Sequence, residues 1–135
     1  GRIINVSPQA SEVLLIIDQE GAVGARVWET RETLGVVEGN GQENNLLSMI
    51  HMPHDAEITV GQTIVTSGLA GLFPPGIKIG EVVEVKDETS GLMKQADIQP
   101  FVNFNRLEEV LIILEVSDLY QIQQELQNQK EDLEQ

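Results

Sequence analysis

The chain has 135 residues, 41% of them hydrophobic, enough apolar surface to bury one core of ordinary domain size. Twenty-two acidic residues against eight basic ones give a formal charge of −14, which repels phosphate backbones and anionic lipid heads and makes nucleic acid a poor partner. The lack of cysteine removes disulfides, thiolate zinc sites and cysteine nucleophiles. No apolar run approaches the ~20 residues that span a bilayer, so the chain reads as soluble or as separated from its anchor.

In chain order, short β-branched runs alternate with Gly, Asn, Asp and Pro. VLLIID (residues 13 to 18) has the length and continuity of a strand covered on both faces, broken by Asp18-Gln19-Glu20-Gly21. In ARVWE, Ala25 and Val27 alternate with Arg26 and Trp28, and Gly39-Asn40-Gly41 then predicts a tight reversal. LLSMIHM (46 to 52), EITV (57 to 60), QTIVT (62 to 66), IKIGEVVEV (77 to 85), LMKQADI (92 to 98) and VLIILEV (110 to 116) complete about eight predicted strands, with no helix before residue 117.

The period of two sets the fold class. Ile77, Ile79, Val83 and Val85 fall on one face of their strand and Lys78, Glu84 and Lys86 on the other. Glu81 breaks this pattern directly after Gly80, where a bulge would turn it outward. Leu92, Ala96 and Ile98 repeat the alternation against Met93, Gln95, Asp97 and Gln99. Many short strands at roughly ten-residue spacing predict an all-β fold, a small barrel or sandwich of antiparallel strands. From Ser117 the composition turns to Gln and Glu, with Leu119, Ile122, Leu126 and Leu133 forming a thin apolar seam that Gln129 interrupts. This is a polar tail with helical spacing.

Candidate chemistry is sparse. His51-Met52-Pro53-His54-Asp55 clusters three potential ligands, but Pro53 bars a helix and no second cluster completes a metal shell, so an exposed turn is expected and no metal or other cofactor. Ser67 lacks the glycine-serine-glycine elbow because position 65 is Val, which leaves hydrolase chemistry with His51 or His54 as the weaker alternative. A glycan- or small-molecule-binding barrel is another alternative; it normally wants exposed aromatics, and the chain has one Trp, one Tyr and three Phe. The glycine-rich stretch VTSGLAGLFPPGIKIG therefore reads as architecture, with Gly61, Gly68, Gly71, Gly76 and Gly80 as turn or bulge positions and Pro74-Pro75 stiffening the loop. Leu69, Leu72 and Phe73 are its apolar contents, either a plug in the barrel end or a partner-facing patch.

The run from Gly61 to Val82, GQTIVTSGLAGLFPPGIKIGEV, resembles the signature segment of the MreC family of bacterial rod shape-determining proteins. Gly1-Arg2-Ile3 looks like the strand that opens this half of the family's extracytoplasmic region, and Val13 to Asp18 like the apolar strand that follows. Arg31, Gly35 and Gly39 resemble the family's Arg-x-x-Gly turn, and Phe104 to Leu111 its closing strand. Gln62 and Lys78 depart from the family's usual Asp and Pro, which touches local turn geometry. The resemblance implies a non-enzymatic extracytoplasmic scaffold of the peptidoglycan-synthesising elongation machinery. It would be anchored by an amino-terminal helix missing here and self-associate in the full-length protein. Implied partners are penicillin-binding proteins, MreD and the MreB system. It also implies a division into residues 1–20 as closing strands of a first barrel, 21–116 as a second barrel and 117–135 as an acidic tail.

Overall fold

The computed structural model of the chain describes residues 1–40, 45–69, 71–114 and 116–133, the stretch 116–124 by its backbone alone. Two strands form a hairpin at the start. β1 (Arg2–Val6) pairs antiparallel with β2 (Ser11–Leu14) around a turn in which Ser7 N and Oγ donate to the Ala10 carbonyl, at 2.8 and 3.0 Å. Six further strands follow: β3 (Ala22–Val27), β4 (Leu34–Gly39), β5 (Leu47–Pro53), β6 (Thr63–Thr66), β7 (Lys78–Asp87) and β8 (Met93–Pro100). They close into a barrel in the ring order β3-β4-β5-β8-β7-β6, each neighbouring pair antiparallel. Closure leaves this sheet without a free edge. β3 and β8 sit opposite each other in the ring, and the alternation of direction places the start of β3 and the end of β8 at the same rim.

The interior follows the period of two where strands are regular. Val23, Ala25 and Val27 of β3 point inward and meet Val37, Leu47, Met49, Ile64, Ala96 and Ile98. Each fully buried aliphatic side chain contributes roughly 1.5 to 3 kcal/mol of transfer free energy. On the outer wall Lys86 Nζ lies 3.0 Å from Asp97 Oδ2. That hydrogen bond and the charge of Asp97 hold the lysine above its ordinary pKa. A short 3-10 turn (Phe104–Arg106), capped by Asn103 accepting from Asn105 N at 3.1 Å, sets Phe104 against the core. A helix, α1 (Val116–Leu133), follows, and its side chains from 125 to 133 are exposed.

Several expected elements differ from the structure, each for a physical reason. The run 13 to 18 is not one strand: β2 ends at Leu14, and Leu15 to Ile17 turn away so that Ile17 enters the barrel core. Gly39 is not a turn residue; it lies at the end of β4 against the Ile17 backbone, where a Cβ would overlap the Ile17 carbonyl. Gly41 lies outside the described residues. EITV is not a strand, because distant side chains tie the backbone where it begins: Thr33 Oγ1 donates to Glu57 O at 2.7 Å, and Lys94 Nζ donates to the preceding Ala56 O at 3.1 Å. Ile58 is thereby pulled into the core.

In β7, two register shifts, one against β6 beside Ile79 and one against β8 at Val83, reset the parity. Val82 is therefore buried, while Val83 and Glu81 face out. Leu92 is exposed, in the turn before β8. Residues 110 to 114 have no strand partner among the described residues and expose Val110, Leu111, Ile112, Ile113 and Leu114.

Candidate partner-binding surface

The loop between β6 and β7 is organised by Thr66. Its Oγ1 donates to Pro74 O at 2.6 Å and accepts from Ile77 N at 2.9 Å, while its backbone exchanges bonds with Ile77 and Gly76, at 2.8 and 2.9 Å. A threonine suits this position because one hydroxyl can donate and accept at once. Pro74-Pro75 is thereby clamped beside the strand end. Gly68 and Gly76 hold φ of 75° and 84°, a region costly for any residue with a Cβ. Gly68 has a second constraint, since a Cβ there would lie 2.9 Å from Pro75 Cβ. Gly61 and Gly71 also have positive φ, at 96° and 71°.

Gly80 differs in kind. Its φ is not in the left-handed region, and it is glycine because β8 passes so close that a Cβ would overlap the Gln99 carbonyl.

This scaffold divides the loop's apolar residues. Leu69 and Leu72 are exposed at 58% and 53%, whereas Phe73 is partly buried and packs against the barrel core. Ser67 is buried; its N donates to Gly24 O at 2.9 Å and its Oγ accepts from Leu69 N at 3.2 Å, a loop-folding role. His51 is exposed at φ 64°, where β5 carries an extra residue opposite β8, and His54 is exposed in the turn that follows Pro53. Among the described residues no group of three or more His, Cys, Asp or Glu could hold a metal ion.

One cluster on the outer wall matches none of the sequence motifs. Arg31 places its guanidinium carbon 4.7 Å from the centroid of the Trp28 ring, and both line a shallow hollow with Arg26, Val65, Thr66, Pro75 and Gly76. The Trp-x-x-Arg spacing across the β3–β4 turn was its only local signal.

A closed six-strand barrel with this loop invites comparison with known proteins. A family model described as the rod shape-determining protein MreC, barrel core, matches residues 1–114. The chain belongs to the MreC family. It is 33% identical over 102 residues to the cell shape-determining protein MreC of Listeria monocytogenes, covering 76% of this chain and 35% of the relative. It thus spans about a third of that relative's length. A solved MreC structure matches with TM-score 0.71 at 25% identity, covering 78% of this chain and 58% of that one. A second, from a complex between penicillin-binding protein PBP2 and MreC from Helicobacter pylori, matches with TM-score 0.56 at 27% identity, covering 65% and 54%. No helix among the described residues is long and apolar enough to cross a membrane.

Proposed function

We propose that this chain is a non-enzymatic scaffold of the bacterial cell-elongation machinery, acting outside the cytoplasmic membrane by holding a penicillin-binding protein. The observation that carries this reading is membership of the MreC family together with the PBP2–MreC complex of a relative. MreD and the MreB system complete the partner set, and the full-length protein self-associates and is anchored through an amino-terminal segment. The β1–β2 hairpin within residues 1–20 belongs to a first barrel, although Leu15 to Ile17 of that stretch already pack into the core of the second; residues 21–116 belong to the second and residues 117–135 to a tail. The loop supports a binding role. Exposed Leu69 and Leu72 offer apolar area while Phe73 fixes the loop to the core, and full burial of each leucine by a partner would contribute roughly 1.5 to 3 kcal/mol.

The test is capture of penicillin-binding proteins from solubilised membranes by the extracytoplasmic region, scored beside denaturation midpoints. Leu72→Asp is expected to keep its midpoint and lose capture, and Phe73→Ser to lower the midpoint. Undiminished capture by a folded Leu72→Asp variant would remove the loop from the contact surface. Failure of the unmodified region to capture any penicillin-binding protein would overturn the scaffold reading itself.

A further inference from the structure

The Arg26, Trp28 and Arg31 hollow has the makings of a recognition site. The register brings it together: Arg26 of β3 is opposite Val65 of β6, which is opposite Lys78 of β7, so this outer row carries two cations either side of a buried valine. Val65 is buried yet is not part of the core cluster inside the barrel. Pro75 and Gly76, held by the Thr66 bonds, form one wall of the hollow, and the turn carrying Trp28 and Arg31 forms another.

The cations here are not spent on internal partners. Neither Arg26 nor Arg31 has a carboxylate partner among the described residues, and Arg26 Nε is buried without a hydrogen-bond acceptor. Glu29, in the same turn, is engaged elsewhere, both carboxylate oxygens accepting from Thr63 N at 3.0 and 3.1 Å. Among the described residues no acidic side chain lines the hollow. Buried donors in proteins are rarely left without acceptors, so this unpaired nitrogen marks the Arg26 guanidinium as one whose hydrogen-bonding capacity the described residues leave unused.

We propose that this hollow is a carboxylate-binding subsite, which receives a peptide-borne carboxylate from a protein partner. Arg31 lies over the indole face, a contact that favours one orientation of its planar fork, and two guanidinium groups offer the paired N–H geometry that suits a carboxylate. A hollow of about 200 Å³, well above the ~10–15 Å³ that a single water needs on the same measure, has room for an acidic side chain. The chain's charge of −14 sharpens the address. At physiological salt the bulk field is screened beyond ~8 Å, so an acidic segment feels attraction only where arginines lie at contact range. This inference rests on the scaffold reading for its choice of a protein partner, while the chemistry of the subsite is tested independently of it.

Trp28 is the only tryptophan, so intrinsic emission reports on the hollow directly. The purified chain is titrated at physiological ionic strength with acetyl-Gly-Glu-Gly-amide, with acetyl-Gly-Gly-Gly free acid, with acetyl-Gly-Gln-Gly-amide and with inorganic phosphate. A saturable change with either carboxylate peptide is expected, and the two arms separate a side-chain source from a chain terminus. It should be absent with the glutamine peptide and weakened at least tenfold in Arg26→Met and in Arg31→Met. Arg26→Lys and Arg31→Lys serve as folded substitutes if the corresponding methionine variant loses its structure, and Lys130→Met, exposed on α1, as a control away from the hollow. An equal response to the glutamine peptide, a response to phosphate that matches or exceeds both carboxylate peptides, or wild-type titration by the folded arginine variants would overturn the proposal. Penicillin-binding protein capture sensitive to Leu72→Asp stands or falls separately, so the two failures are distinguishable.

Discussion

Alanine at Gly80 would push a methyl group into the backbone of β8, where the new Cβ overlaps the Gln99 carbonyl and lies 2.8 Å from Ile98 Cγ2. Neither neighbour can yield easily. Gly80 is paired with Pro100, and the next bond along, Phe101 N to Ile79 O, spans 3.1 Å. Overpacking of this kind costs about 1 to 3 kcal/mol, and a loosened ladder bond adds about 1, giving roughly 2 to 4 kcal/mol for Gly80→Ala. Gly76 provides the internal comparison: its φ is 84° but a Cβ there meets nothing within 4 Å. The penalty for Gly76→Ala is then conformational alone, about 1 to 2 kcal/mol, and Gly76→Asn recovers part of it because asparagine visits this region more readily. In urea, with a slope of about 1.5 kcal/mol per molar, Gly80→Ala lowers the midpoint by roughly 1.3 to 2.7 M and Gly76→Ala by roughly 0.7 to 1.3 M. A Gly80→Ala midpoint equal to that of the unmodified chain, or a larger loss at Gly76 than at Gly80, refutes the assignment of crowding to one glycine and backbone sign to the other.

Ile17→Ala removes a side chain that enters the barrel core from the segment after β2, and should cost about 2 to 4 kcal/mol by chemical denaturation. Thr66→Val leaves Pro74 O and Ile77 N without their shared hydroxyl, so a loss of about 1 to 3 kcal/mol is expected, with faster amide exchange at Ile77. The raised pKa of Lys86 implies a contribution that is complete below the ordinary lysine value of 10.5 and lost as pH rises through the higher folded value. Stability of the unmodified chain should therefore fall more steeply than that of Lys86→Met above that pH.

Much of the barrel was visible in the sequence because its strands obey local rules. Ala25 and Val27 alternate cleanly, and Ala96 and Ile98 do the same, so period two identified both the element and its inner face. β7 was only half legible. The extra residues beside Ile79 and at Val83 are defined by register with β6 and β8, and a one-residue shift exchanges inner and outer faces. EITV has a strand-like alternation, yet Thr33 and Lys94, remote in sequence, hold its backbone in another path. The loop showed its glycines and prolines openly, but the division between outward Leu72 and inward Phe73 depends on the Thr66 clamp. Arg26 and Arg31 could not be joined to Pro75 from sequence, since only the β3–β6 pairing carries the loop to the turn.

The shared rim at which β3 begins and β8 ends has a mechanical meaning. A body hung from one flexible point swivels freely, whereas one held at two opposite points of a rim keeps its azimuth. Because the flanking segments join strands on opposite sides of the ring, tension on both would fix which side wall of the barrel faces a given direction. The far rim, formed by the turns after β3, β5 and β7, would remain open to axial approach.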